Sequence, residues 1–200
     1  MDRNSKNLLL FTALSTIWAI IFGLIGPFYV IHVKRLSGGM EKLGIAFGIM
    51  IFFQSLASYV AGKSSDKLGR KPFLFLIAYV NSVILFLYTI IKGTHQLYIL
   101  QGFFGISNGV SQTISTSLLG DITTREKRGK AVGIFHAIVG IASSLGLVLS
   151  GYAVKKYGLK TIFYLASFVL FFSTLLLFGI REDMVLDHKK DYQHDHCAKN

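Results

Sequence analysis

A short charged segment separates two long apolar runs in the first half of the chain. It reads GKSSDKLGRKP and spans Gly62–Pro72, with four basic side chains and a single acid, Asp66. Basic residues in such a position hold a loop on one side of a membrane, and an isolated acid weakens that effect. Asp66 is therefore expected to have a partner, either Arg70 four residues later or the positive N-terminus of a neighbouring helix.

Polar side chains within the apolar runs are the second set of residues that could do chemistry. Between Leu97 and Leu119 four polar residues and one glycine recur every three or four residues, which places them on one face of a helix: Gln101, Gly105, Asn108, Gln112 and Ser115. A polar stripe in lipid predicts either a hydrated cavity or hydrogen bonds between helices. The candidate cavity-lining residues of this and other runs are Gln54, Gln101, Asn108, Gln112 and His136. The histidine could carry a proton or could simply bond a neighbour.

The composition indicates that the elements holding these residues are membrane-spanning helices. The chain has 200 residues, of which 52% are hydrophobic, and a mean hydropathy of +0.54. Its apolar residues form six runs of about 20 residues, enough to cross a hydrocarbon core of about 30 Å. None of these runs contains Asp, Glu, Lys or Arg, and they span Leu8–Val33, Leu43–Ala61, Pro72–Ile91, Leu97–Leu119, Ala131–Val154 and Thr161–Ile180. The third and sixth runs carry few polar residues and are expected to face lipid.

The distribution of charge predicts how the chain is oriented. If the N-terminus is cytoplasmic, fourteen of the 21 Lys and Arg residues fall in cytoplasmic segments. This is the bias of the positive-inside rule, so both termini are predicted to be cytoplasmic, in the plasma or inner membrane. It also accounts for the net charge of +11 without a nucleic-acid partner. The predicted segments are a cytoplasmic N-terminus over 1–7, a six-helix bundle over 8–180 and a polar tail over 181–200.

An internal repeat relates the two halves of the bundle. At an offset of 89 residues, ten positions between Gly44 and Leu76 are identical to their partners. Two units follow, over about 8–91 and 97–180. Because three spans is an odd number, the second unit enters the membrane from the opposite side, giving a 3+3 inverted repeat. The alternative is that any helix–turn–helix in lipid favours Gly and Lys at its turn.

The charged segment resembles the signature loop between spans two and three of the major facilitator superfamily. Its fixed positions are filled by Gly62, Asp66, Lys67, Gly69, Arg70 and Lys71. The resemblance extends over about residues 8–185 and implies an all-α membrane protein, half of a facilitator fold. In that family the loop resembles a latch, whose acid contacts the other half of the transporter and stabilises the outward-facing state.

Two further segments are similar to segments of that family. The stretch GDITTREKRGKAVGI resembles the loop between spans four and five, where Asp121, Arg125 and Arg128 would join a cytoplasmic charge network. The fifth span resembles a degenerate efflux-type glycine motif, with Gly140, Gly146 and Gly151.

Two motifs depart from the family's patterns. In the efflux-type glycine motif, Leu147 stands at the proline and Ser150 at one glycine. Gln101 occupies the position of an arginine that the family associates with proton transfer, which puts proton coupling in doubt.

The resemblance implies a secondary transporter that moves a small molecule by alternating access, of efflux type, without a cofactor. Six spans form only one side of such a pathway, so we expect a second half from a homodimer or another six-span chain. The alternative is a truncated or regulatory protein that does not transport. The sequence lacks the HExxH, paired-carboxylate and Ser–His patterns of an intramembrane enzyme. The HDHC stretch of the tail is spaced too tightly for a structural zinc site.

Overall fold

The computed structural model describes residues 3–68, 70–123, 126 and 128–175, and these residues form helices joined by short turns. The expectation of an all-α fold is confirmed over the described part of the chain. Its six helices are α1 (Arg3–Ser37), α2 (Met40–Leu68), α3 (Lys71–Tyr88), α4 (Thr94–Asp121), α5 (Arg128–Tyr157) and α6 (Leu159–Ser173). Each contains one of the six predicted apolar runs or most of it.

Glycine and proline set the tightest helix ends. Gly38 between α1 and α2 has a φ of +78°, and Gly158 between α5 and α6 has a φ of +80°. This left-handed conformation is costly for other residues and is the usual way to end a helix. Pro72 lies in the first turn of α3, where its missing N–H has no helical partner to lose.

Length and apolarity distinguish three clear membrane spans among the described helices. They are Lys6–Ser37 in α1, Met40–Ser65 in α2 and Arg128–Tyr157 in α5. Pro72–Tyr88 in α3 and Leu159–Ser173 in α6 are apolar but shorter. α4 is long, at 28 residues, yet less apolar because of its Gln, Asn, Ser and Thr side chains. Of the six predicted spans, α4 thus differs most from a simple apolar rod.

The outer surface of the bundle is apolar. Leu56 and Tyr59 on α2, and Val148 and Tyr152 on α5, are each more than half exposed. Apolar surface of this extent is unfavourable in water and marks a face covered by another molecule. Hydrocarbon of a bilayer is the cover that suits helices of this length and composition.

Glycine brings α4 into direct contact with the backbone of α2, and these two helices form one of the three main pairs in the bundle. A Cβ atom on Gly105 would collide with the carbonyl oxygen of Met50, and one on Gly109 with that of Gln54. Without a hydrophobic driving force between helices in lipid, such close packing is what holds helices together. The same carbonyl contacts fix the rotation of α4 relative to α2.

The α1–α5 pair is built in the same way. A Cβ atom on Gly23 of α1 would collide with the carbonyl oxygen of Ser143, and one on Gly146 of α5 with that of Ile20. Near one end of this seam the rings of Phe11 and Phe135 stack with their centroids 5.5 Å apart. Small residues thus hold the middle of this seam together, and one stacked pair of rings lies near its end.

The third pair, α3 with α6, is joined by hydroxyl groups. Ser82 Oγ donates to the carbonyl oxygen of Ser167, and Ser167 Oγ donates to that of Ser82, each over 2.7 Å. Asn81, next to this pair, accepts a 2.8 Å hydrogen bond from Ser107 of α4. The lipid-facing helices thus turn their few polar side chains inward, as hydrocarbon requires.

The glycine contacts lead to a stability prediction. Replacing Gly105 by Ala adds a methyl group against the α2 backbone, and overpacking of this kind costs about 1–3 kcal/mol. We expect Gly105→Ala to lower the unfolding midpoint in detergent by about 3–9 °C, measured by size-exclusion chromatography after heating.

Gly120→Ala is the matched control on the same helix, because nothing lies within 4 Å of the added methyl group there. Its midpoint should equal or exceed that of the wild type. Equal midpoints for the two variants would contradict the close contact.

Candidate functional site

Two glutamines meet on the seam between α2 and α4. Gln54 Nε2 donates to Gln112 Oε1 over 3.1 Å, and Gln112 is exposed while Gln54 is half-buried. Each amide keeps further donor or acceptor capacity beyond this bond. Beside the pair, Ser58 Oγ donates to the carbonyl oxygen of Gly109 over 3.2 Å, which holds the two helices in register. The seam therefore presents amide groups that a polar ligand could bind.

Asn108 lies on the same face of α4 as Gln112, one helical turn earlier. Its side chain is half-buried. The structure thus brings two of the five candidate cavity residues into contact and places a third beside them. Whether they line a hydrated cavity stays a prediction.

Gln101 lies apart from this group, in the interior of the bundle. It is fully buried, roughly three turns from Gln112 along α4. Its Oε1 accepts a 2.9 Å hydrogen bond from Tyr29, whose hydroxyl is 3.0 Å from that of Tyr88. Its Nε2 is buried and has no hydrogen-bond partner within the described residues. Its surroundings are those of a structural amide that joins α1, α3 and α4.

The partners of Gln101 were not identified from the sequence. His32 extends the cluster, since its Nε2 lies 2.8 Å from the carbonyl oxygen of Tyr88 and must donate to it. The signal that could have found Tyr29 and Tyr88 is their hydroxyl groups, which need partners when they lie inside an apolar run.

His136 is exposed on α5 and lies on a different seam from the glutamine pair. α5 packs mainly against α1, through Phe135 among others. The imidazole of His136 makes a ring contact with Phe135, with 5.3 Å between the ring centroids. The structure therefore does not gather His136 with Gln54 and Gln112 on one pair of helices.

An ion pair links the loop between α2 and α3 to the end of α4. Arg70 Nε donates to Asp121 Oδ2 over 2.7 Å, and its Nη1 donates to Ser65 Oγ over 2.8 Å. The arginine side chain is 14% exposed and the carboxylate 34%. Three helix ends meet at this guanidinium, because Ser65 is in the last turn of α2 and Arg70 precedes α3.

Arg128 completes the charged cluster from the start of α5. Its Nη2 donates to the carbonyl oxygen of Gly120 over 2.9 Å, in the last turn of α4. A cation in this position stabilises the negative end of a helix. The remaining predicted members fall outside the described residues, either as whole residues or in their side chains: Asp66, Lys67, Gly69, Lys71 and Arg125. Gly62 is described and lies in α2, where an added Cβ would contact Thr113 at 3.7 Å.

The glycines of α5 have different surroundings. Gly146 is buried against Ile20 of α1, whereas a Cβ atom on Gly140 or Gly151 would meet nothing within 4 Å. Gly146 thus permits close packing inside the chain. Gly140 and Gly151 lie on a face that the described part of the chain leaves uncovered.

Metal ligands do not cluster in the part of the chain that the structure describes, where no three His, Cys, Asp or Glu side chains lie together. The HDHC stretch of the tail, with Cys197, lies outside the described residues.

A model of the Major Facilitator Superfamily matches residues 8–194. The chain belongs to this superfamily, as the resemblance of its charged loop predicted. It is therefore an integral membrane protein of a family that moves small molecules across lipid bilayers.

The curated relatives include transporters of different lengths. The multidrug resistance protein MdtG of Rahnella sp. (strain Y9602) is 31% identical over 176 residues, covering 85% of this chain and 42% of that protein. The MFS-type transporter YitZ of Bacillus subtilis (strain 168) is 26% identical over 154 residues, covering 77% of this chain and 94% of YitZ. The chain spans less than half the length of MdtG and nearly all of YitZ.

Solved structures share the fold. The human organic anion transporter MFSD10 superposes with a TM-score of 0.69 at 16% identity, covering 90% of this chain and 48% of that one. The proton:xylose symporter XylE gives a TM-score of 0.67 at 15% identity, with 90% and 46% covered. At these identities the likeness concerns the fold alone.

The ion pair leads to a second stability prediction. A double-mutant cycle with Arg70→Gln and Asp121→Asn should give a coupling energy of about 1 kcal/mol, because the carboxylate is partly exposed and solvent screens the pair. The measurement is the unfolding midpoint of the two single variants and the double variant in detergent.

The control is Glu126→Gln, which neutralises an exposed acid in the segment between α4 and α5. It should leave the midpoint unchanged. Strictly additive effects of the first two substitutions would contradict the pair.

Proposed function

We propose that the chain forms one half of an efflux-type small-molecule transporter that works by alternating access with a second six-helix bundle. The observation that carries the proposal is the exposed Gln54–Gln112 pair. It places amide groups with unused hydrogen-bonding capacity on an otherwise apolar seam. Gln54 lies at the middle of α2, the depth at which such transporters hold their substrates. The MdtG relatives are named for multidrug resistance, which favours an efflux substrate.

The inverted repeat belongs to this proposal. Suppose that α1, α2 and α3 correspond to α4, α5 and α6 in that order. The α1–α5 pair then corresponds to the α4–α2 pair, and the α3–α6 pair corresponds to itself. These are the three main pairs. The glycine contacts follow the same exchange, since Gly23 packs on the carbonyl of Ser143 as Gly109 packs on that of Gln54. The carbonyl sides of these contacts, Gln54 and Ser143, stand at the sequence offset of 89, whereas Gly23 and Gly109 stand 86 residues apart.

The partner is proposed to dock on α2 and α5. The repeat identities Gly44 with Gly133 and Ser55 with Ser144 all occupy exposed positions. Contacts inside the chain do not account for identity at positions that nothing covers. Small residues of this kind let another helix approach closely in lipid. A two-fold arrangement would place α2 of one bundle against α5 of the other, whether the second bundle is another copy or a different six-helix chain.

The latch role of Asp66 and the predicted topology are part of the same proposal. Both termini would lie in the cytoplasm, with the Gly62–Lys71 loop and the Asp121–Arg128 segment on that side. The Arg70–Asp121 ion pair supports a cytoplasmic charge network that also holds three helix ends together.

Transport can be tested with ethidium as the probe. Bacteria lacking their own efflux pumps should accumulate less ethidium when they express the chain. Gln112→Leu should raise the half-saturating ethidium concentration about three- to tenfold, the worth of one hydrogen bond to substrate. The measurement is dye fluorescence over time at several dye concentrations, at matched protein levels.

Gln96→Leu is the matched control, because it removes an exposed amide from the opposite end of the same helix. Its half-saturating concentration should equal that of the wild type. Accumulation equal to that of cells without the chain would contradict the efflux proposal and favour the non-transporting alternative.

Docking can be tested by disulfide cross-linking, with Cys197 replaced by Ser. Chains carrying Ser55→Cys, co-expressed with chains carrying Ser144→Cys, should form covalent dimers upon mild oxidation in the membrane. Phe168→Cys on α6, which is also exposed, is the control and should not form them. Equal cross-linking through α6, or none through α2 and α5, would contradict a homodimer of this geometry.

A further inference from the structure

An apolar groove of about 310 Å³ follows one flank of α2. It is open along its length and lies between α2, the start of α3 and the middle of α4. The residues that define it are Phe53, Ala57, Val60 and Ser64 of α2, Phe73 of α3 and Val110 of α4. Ser64, at the end of the groove nearest the α2–α3 loop, is its polar member.

The length of the groove matches one leaflet of a bilayer. Phe53 and Ser64 are separated by three helical turns, or about 16 Å along α2. This is about half of a hydrocarbon core of about 30 Å. The groove therefore runs from the middle of the membrane to the level of the headgroups, as a single acyl chain does.

Positive charge lies at the headgroup end. Lys63 is exposed and adjoins Ser64 in the sequence. Lys67 and Lys71 follow it in the sequence, whereas Arg70 is paired with Asp121. Basic pockets between membrane helices at this depth attract anionic lipid headgroups.

We propose that the groove binds one acyl chain of an anionic phospholipid, whose headgroup lies against Lys63. The lipid is a ligand at a defined site, distinct from the lipid that covers the remaining surface, because this face is concave and the exposed Lys63 follows Val60 of the groove by about one helical turn. The proposal rests on a bilayer around the chain and on the proposed docking face for a second bundle, which leaves this flank open, but it does not require transport.

The geometry of α2 favours a lipid over a helix in this groove. Successive residues of a helix are rotated by about 100°, so Phe53, Val60 and Ser64 lie on one flank. Gly44 and Ser55, the small residues of α2 proposed to face a second bundle, lie on the opposite flank. A second bundle docked there leaves the groove open to the bilayer.

Photo-labelling tests the proposal. The protein is reconstituted in phosphatidylethanolamine vesicles with a small fraction of phosphatidylglycerol that carries a diazirine in one acyl chain. After irradiation, mass spectrometry should find labels near Phe53 and Val110. Val60→Trp fills the groove from its exposed rim and should lower this labelling at least fivefold.

Val169→Trp on α6 makes the same change at an exposed position outside the groove, and should leave the labelling unchanged. Lys63→Gln should lower labelling by the phosphatidylglycerol probe at least threefold but not labelling by a phosphatidylcholine probe with the same acyl chain. All variants are first shown to elute as the wild type does.

Three results would overturn the proposal. The first is unchanged labelling of Val60→Trp, and the second is equal labelling of the groove by the two probes in the wild-type protein. The third is a covalent dimer through Val60→Cys in the membrane, which would assign the groove to a helix of a second copy.

Discussion

Direct contact between the backbones of α4 and α2 determines where the polar groups of the candidate site lie. Gly105 and Gly109 admit the carbonyl oxygens of α2 at positions where any side chain would collide. In lipid, where apolar surface gains nothing by leaving solvent, this packing is the main attraction between helices. With α4 fixed in rotation and height, Gln112 lies beside Gln54 and the Ser58 hydroxyl reaches the carbonyl of Gly109.

The polar residues within the apolar helices are of two kinds, which differ in whether they are buried or accessible. Tyr29 bonds both Tyr88 and Gln101 in the interior, where an unpaired hydroxyl would be costly. The Gln54–Gln112 pair remains accessible and keeps hydrogen-bonding capacity. The first group joins helices within one bundle, and the second can serve a ligand. Residue type alone does not separate these roles, because both groups contain glutamine from α4.

The sequence was sufficient for the helices and the family, but not for the partners of individual residues. Six uncharged runs predicted the six helices because lipid excludes charge along its whole depth. The periodic polar residues of α4 predicted a shared face, yet periodicity does not say which helix that face meets. From the sequence, Gln101 and Gln112 were therefore both predicted to line the same cavity. Arg70 could likewise be matched only with nearby Asp66, whereas its ion pair with Asp121 spans 51 residues of sequence.

The reciprocal bonds between Ser82 and Ser167 have a mechanical consequence. Each hydroxyl donates to the carbonyl of the other residue, so both bonds share one register. Sliding α3 past α6 by a single residue would break both bonds at once. The contact between α3 and α6 therefore resists sliding of one helix along the other. The α1–α5 pair is joined by glycine contacts and ring stacking rather than by reciprocal hydroxyl bonds, so a shift between its helices costs less.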